Sequence, residues 1–252
     1  MFFLPDQHYA PLGDGEGGVD RKAESCALQA IQHVKPDAFV NLGDVGEWSS
    51  VSPWRYKKIK RPPLAYVCAD LKKDIEAVNA GLDKHDKVLD EVGCKERHLI
   101  EGNHEIWVDN FCVEYPDMPQ FQIETALRLN ERGYQYHPYG EYVPFGNLWA
   151  YHGGHWSTKY HSARHIQELG ASVIYGHYHD QQTSKAPTLG GYHGAWSIGC
   201  ICEKDKMFNR GRPVRWSHNF AVVHLEKDGT FHVDVVEIYD GVCYVWGKRI
   251  RG

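Results

Sequence analysis

Five predicted strands in this chain each stop on side chains suited to gripping a cation, and that repeated ending constrains the fold more than any other feature. Phe2-Phe3-Leu4 leads to Asp6 and His8, and Ala38-Phe39-Val40-Asn41-Leu42 leads to Gly43-Asp44. Arg97-His98-Leu99-Ile100-Glu101 leads to Gly102-Asn103-His104, the run from Asn147 to Tyr151 to His152, and Ser172-Val173-Ile174-Tyr175 to Gly176-His177-Tyr178-His179. Short apolar runs bounded by turn residues read as buried strands. Between them lie helical patterns. Residues 20–34 place Ala23, Ala27, Ala30, Ile31 and Val34 on one face before Pro36-Asp37, and residues 70–92, 120–132 and 158–169 are also predicted helices. The tail is strand-rich: Ala195 to Cys202, Phe220 to Leu225, and, after the turn Lys227-Asp228-Gly229-Thr230, Phe231 to Ile238. This order predicts two sheets in a layered α/β arrangement, as one domain over residues 1–252. Loops are expected at 49–63 and 203–218, and a Gly-rich loop at Gly13, Gly15, Gly17 and Gly18.

Composition narrows the class. A chain of 252 residues with 42% hydrophobic and 24% charged residues can bury a sizeable core. No apolar run approaches the roughly 20 residues of a membrane-spanning helix. The start, Met1 to Asp6, lacks the basic flank of a secretory signal, so a cytosolic protein without membrane association is expected. The seven cysteines are odd in number and include no C-x-x-C pair, which argues against a zinc ribbon or a disulfide framework. Cys200 and Cys202 read first as same-face positions of a strand and only second as ligands. The net charge of −5 disfavours tight duplex binding. Leu71, Ile75, Val78, Leu82, His85, Leu89 and Val92 form a stripe that fits a helix lying on the core, with a homodimer seam as the sharper alternative.

Taken singly, each polar ending has a bland explanation. Asp6-Gln7-His8 could be a turn, and Asp44 could cap a helix. Together they point elsewhere, because ligand sites gather where strands of an α/β sheet end along one edge. The set Asp6-x-His8, Gly43-Asp44, Gly102-Asn103-His104-Glu105, His152-Gly153 and Gly176-His177-x-His179 resembles the calcineurin-like metallophosphoesterase superfamily, and is similar to its small members often carried by phages and bacteria. The match spans residues 6–179. The resemblance implies a four-layer α/β/β/α sandwich, two sheets flanked by helices. It implies that Asp6, His8 and His179 bind one metal ion, that Asn103, His152 and His177 bind a second, and that Asp44 bridges them. His155 is the fallback for His152. His104 would be no ligand but would sit over the substrate and protonate the leaving oxygen. For a phage-encoded chain, the compartment would be the host cytoplasm.

The residue types suit that chemistry. Two cations roughly 3.5–4 Å apart can hold a nucleophilic water and a phosphate oxygen together, and a bridging carboxylate offsets their mutual repulsion. A mixed His/Asp/Asn set favours two divalent ions, Mn²⁺ first, with Fe, Zn or Ni as the other candidates. Hydroxide generated between them would attack phosphorus in line. Asp14, Glu16, Glu47, Glu105, Asp109 and Asp180 lie close enough in sequence to orient a ligand, Glu105 being the first choice. Arg55, Lys57, Lys58, Lys60 and Arg61, interleaved with Trp48, Trp54 and Tyr56, form one basic loop; Lys204, Lys206, Arg210, Arg212 and Arg215, with Phe208 and Trp216, form a second. Such loops fit a nucleotide or single-stranded nucleic acid, or are merely solvated. Three readings stay open: a phosphoesterase acting on a small mono- or diester such as a nucleotide, a Mn-dependent nuclease or exonuclease acting on DNA, and a non-catalytic metal-binding scaffold.

Overall fold

The structure, a computed structural model, describes residues 1–11, 18–189, 191–204 and 213–252. Its first sheet contains β1 (Phe2–Leu4), β2 (Ala38–Asn41), β3 (Glu96–Ile100), β4 (Tyr134–His137), β10 (His218–Leu225) and β11 (Phe231–Ile238), in the order β11-β10-β1-β2-β3-β4. Its second contains β5 (Val143–Phe145), β6 (Leu148–Ala150), β7 (Ser172–Tyr175), β8 (Gln181–Thr188) and β9 (Gly191–Ile198), in the order β5-β6-β7-β9-β8. A hairpin of β12 (Val242–Val245) and β13 (Lys248–Arg251) follows.

Strand alternation divides the interior into layers. Phe2, Leu4, Phe39, Leu99, Phe220 and Val222 point outward from the first sheet, against Ala27 and Ile31 of α1 (Arg21–Val34) and Leu71, Val78 and Leu82 of α2 (Leu64–Val92). Their neighbours Phe3, Val40, Ile100, Ala221 and Val223 point the other way and meet Phe145, Leu148, Ala150, Ile174, Trp196 and Ile198 of the second sheet. On that sheet's far face Tyr151, Val173, Tyr175 and Ala195 pack with Ile166 of α5 (His161–Leu169). Three apolar layers thus separate helix, sheet, sheet and helix, the α/β/β/α sandwich expected.

Strand direction positions the site. β1, β2, β3 and β4 run parallel, as do β6, β7 and β9. The chain therefore leaves β1, β2 and β3 at one edge of the first sheet, and leaves β6 and β7 at one edge of the second.

Several expectations need correction. The helix predicted over 70–92 already begins at Leu64, directly after Pro63, whose fixed φ suits a helix entry. The stripe from Leu71 to Val92 packs into the outer core of its own chain, with Leu71, Val78, Leu82, His85 and Leu89 buried. The helix predicted over 120–132 shrinks to a 3-10 turn at Pro119–Phe121 and α4 (Ile123–Ala126). Leu127 and Leu129 are both buried, two residues apart, which one helix face cannot achieve; Arg128 between them turns left-handed (φ 54°). The strand expected from Ala195 to Cys202 ends at Ile198, because Gly199 has a φ of 72°. Cys200 and Cys202 are buried beyond it, in isolated bridges to His218 and Val19. Sequence reasoning passed over α3 (Glu105–Glu114), β4, β5, β8, β12 and β13. Gly13, Asp14, Gly15, Glu16, Gly17, Lys206, Phe208, Arg210 and Arg212 lie outside the described residues. Among the described residues no helix is long and apolar enough to cross a membrane.

His85 gives the fold an acid sensitivity. It is fully buried on the inner face of α2; the Tyr9 hydroxyl donates to Glu24 (2.6 Å) and so accepts from His85 Nε2 (3.0 Å). Burial pushes the imidazole down to about 4. The unfolded chain, with an ordinary histidine near pH 6.5, binds a proton that the folded one refuses between those values. Stability is therefore retained above pH 6.5 and falls as pH drops towards 4, by roughly 3 kcal/mol from this residue. Urea unfolding at pH 7 and 4.5 should show the loss, and His85→Gln should flatten it; an unchanged slope in that variant would refute the assignment.

Candidate metal centre

The five strand ends meet. Asp6 follows β1, Asp44 follows β2, Asn103 follows β3, His152 follows β6, and His177 and His179 follow β7. His8 Nε2 lies 3.1 Å from His179 Nε2, which is 3.2 Å from Asp6 Oδ1. Asn103 Oδ1 lies 3.1 Å from His152 Nε2 and 2.6 Å from His177 Nδ1. Asp44 stands between these groups, its Oδ2 3.8 Å from His8 Nε2 and 3.5 Å from His152 Nε2. Asp6, His8, Asp44 and His179 can converge on one ion, and Asp44, His152 and His177 on another. All seven residues expected to bind metal are thus brought together. His155 is not among them: it is exposed, and its carbonyl accepts from the Tyr178 hydroxyl.

The Leu42 carbonyl can only accept, so His152 Nδ1 carries the proton it donates there (2.7 Å). Its Nε2 then faces the oxygens of Asn103 and Asp44, an array of acceptors that draws positive charge to its centre, as a proton on Nε2 or as a cation that displaces it. The electrostatics agree. Burial pushes the Asp44 carboxyl up, yet His152, His104 and His8 outweigh it and hold the group well below the carboxylate range. Burial alone would keep His152 and His179 neutral, but Asp44 pulls the first up to about 10, and Cys202 with Asp6 pulls the second equally far. His177 goes the other way, down to about 4, chiefly through burial, and keeps the lone pair on one ring nitrogen. The residues fit divalent cations.

Backbone geometry is spent on this convergence. His8, Asp44, His177 and His179 all have left-handed φ, 53°, 48°, 67° and 61°. Each such residue costs on the order of 1–3 kcal/mol, a cost characteristic of functional sites. Two glycines make room: a Cβ on Gly102 would lie 2.2 Å from Asp44 Oδ1, and one on Gly176 2.2 Å from Asp6 Oδ2. Asp6 in turn accepts the His177 amide at 3.0 Å through both oxygens.

Glu105 locks the Asp44 turn. Fully buried at the start of α3, it accepts from the amides of Asp44 (2.8 Å), Gly46 (3.1 Å) and Gly102 (3.0 Å) and from Trp48 Nε1 (2.8 Å). Its role differs from the one expected, since it orients backbone rather than a ligand histidine. Glu47 does take that role, its carboxylate 3.0 Å from His8 Nδ1. Asp109 instead accepts from the Ile123 amide (3.2 Å), and Asp180 from His161 (2.8 Å). Cys202, only a second choice as a ligand in the sequence, has its sulfur 3.8 Å from His179 Nδ1, and Trp107, whose ring covers His104 at 3.9 Å, was missed altogether. Neither stands in a motif; only the fold brings them in.

His104 has the geometry of a group poised over the centre rather than within it. Its Nδ1 donates to the Glu47 carbonyl (2.9 Å), and its amide donates to Asp44 Oδ1 (2.9 Å). Nε2 is left facing the centre, 4.0 Å from Asp44 Oδ2.

No protein-family model and no curated protein matches the sequence. Among solved structures the chain is similar to Chaetomium thermophilum Vps29, at 7% identity and a TM-score of 0.46 over 99% of this chain and 95% of that one. It is also similar to Thermotoga maritima protein TM1076 (13% identity, TM-score 0.35, 93% and 96%) and to the Pseudomonas putida nuclease MPE (12%, 0.34, 77% and 71%). These are remote likenesses of backbone course, and the chemistry of the centre rests on its own residues.

Proposed function

We propose that this chain is a hydrolase that cleaves phosphate esters with the help of two divalent cations, Mn²⁺ first among the candidates. The observation that supports this most is the placement of Asp44, one carboxylate within 4 Å of imidazoles from both halves of the cage. Cations bound there supply Lewis acidity, neutralising phosphate charge and acidifying water. The protein's own residues do the rest. Asp6, His8 and His179 hold one side, Asn103, His152 and His177 the other, and Glu105 keeps the Asp44 turn rigid. His104 Nε2 delivers a proton to the departing alkoxide, as a general acid does.

A nuclease reading is favoured by one feature. The loop leaving Glu47 carries Arg55, Lys57, Lys58, Lys60 and Arg61, with Trp54 68% exposed and Lys57 over its ring at 5.1 Å. Exposed rings beside cations suit single-stranded nucleic acid. Assays with p-nitrophenyl phosphate, bis-p-nitrophenyl phosphate and labelled single-stranded DNA, each with Mn²⁺, separate the readings. Turnover of the monoester supports the phosphoesterase. Cleavage of the diester or DNA alone selects the nuclease, and silence on all three with metal bound leaves only a scaffold.

A further inference from the structure

The open side of the metal centre carries a tyrosine that no sequence motif marks. Asp6, His8, Asp44, His152 and His179 are buried, whereas Asn103, His104 and His177 are partly exposed, so a substrate reaches the centre past these three. Tyr139, on the turn that follows β4, is partly exposed as well. Its ring centroid lies 6.2 Å from that of His152. Its hydroxyl faces Gly154, where an added Cβ would stand 2.8 Å from the phenol oxygen and 3.8 Å from Cε1 and Nε2 of His177. Hydroxyl and imidazole therefore border one small space, and a glycine with a φ of 93° keeps that space free of a side chain. His104 stands on the other side of the centre, its ring centroid 4.6 Å from that of His8.

The backbone fixes Tyr139 in this place. Its amide donates to a carboxylate oxygen of Glu101 (2.7 Å), and the Glu101 amide donates to the His137 carbonyl (2.8 Å). The Glu141 amide closes the turn on the Pro138 carbonyl (3.1 Å). Glu101 is buried and stands two residues before the ligand Asn103. The segment that delivers Asn103 to the centre thus also clamps the turn that delivers Tyr139. Among the described residues the Tyr139 hydroxyl has no hydrogen-bond partner, so its proton is free for a molecule bound in the space it borders.

We infer that Tyr139 is a second catalytic group, whose hydroxyl donates a hydrogen bond to a phosphoryl oxygen of the substrate from the side of His152 and His177, while His104 serves the leaving oxygen from the side of His8. The inference rests on the phosphoesterase reading and adds a substrate contact to that same site. A phenol suits the place because it donates without carrying charge, and so does not compete with cations for the cage. Donors held in position before reaction stabilise the charge that gathers on oxygen in the transition state.

Tyr139→Phe tests it, since the variant keeps the ring and removes one oxygen. Calorimetry with inorganic orthophosphate on the Mn²⁺-loaded proteins should show binding weakened about tenfold to hundredfold, the range for one hydrogen bond to a charged partner. For the ester that is turned over, kcat/KM should fall at least as far. Metal content by elemental analysis should equal that of the wild type, which separates a contact with substrate from a prop for His152 and His177, because a prop would release metal. Unchanged phosphate affinity, or a loss of affinity matched by a loss of metal, would overturn the assignment. Failure of the hydrolytic reading would show separately, as absence of turnover in the three assays above, and leaves the difference in phosphate affinity as it is.

Discussion

Asp44→Ala should leave the purified protein with little or no bound metal and depress phosphoester turnover about a thousandfold. One oxygen of this carboxylate faces both halves of the cage: Oδ2 looks towards His8 on one side and His152 on the other, while Oδ1 accepts the His104 amide. Its removal leaves the imidazoles crowded together without the anion that balances them, so bringing cations in becomes costly. The thousandfold figure corresponds to roughly 4 kcal/mol at about 1.36 kcal/mol per decade, within the several kcal/mol that metal assistance supplies. Asp44→Asn separates charge from shape, since the amide can still accept from His104. Both variants should lose metal by elemental analysis, and an Asp44→Ala protein with a full complement of metal would remove the residue from its bridging place.

His104→Ala should behave in the opposite way, keeping the metal and losing roughly a hundred- to ten-thousandfold in rate, the span of general acid catalysis. His104 bonds to Asp44 through its backbone amide, which alanine retains, while its imidazole Nε2 stands 4.0 Å from Asp44 Oδ2. The loss should depend on the leaving group. p-Nitrophenolate departs without help, whereas an alkyl phosphate needs a proton on the departing oxygen, so the alkyl ester should suffer the larger decline. A uniform loss across both esters would assign His104 to phosphate binding, and an undiminished rate would take it out of the mechanism.

The cage was legible in the sequence because strands buried between layers must be apolar throughout, and so Asp, Asn or His at their ends stands out. Asp6, Asp44, Asn103, His152 and His177 were found that way. The elements that were missed carry no such contrast. Helix α3 starts on Glu105, whose side chain turns inward to the Asp44 turn, and apolar Ile106, Trp107, Val108 and Phe111 are too evenly spread to show one face. Strands β4 and β5 are short, the first alternating with polar Gln135 and His137 and the second interrupted by Pro144, with only one or two buried residues each. The helix expected over 120–132 follows apolar positions from Phe121 and Ile123 to Leu127 and Leu129, and the left-handed Arg128 that breaks this run has no signature in the sequence. Cys202 and Trp216 reach His179 only because the tail after β9 folds back across the mouth of the second sheet, a juxtaposition that no spacing in the chain encodes.

The left-handed backbone at His8, Asp44, His177 and His179 carries a historical implication. Glycine or asparagine would sit in those turns with less steric penalty. A descendant relieved of any need for cations would gain thermal resilience by swapping these four residues away, and selection would have no reason to resist. Their joint retention in a living lineage would therefore be a signature of continued use, and their joint exchange for glycine the mark of an abandoned centre.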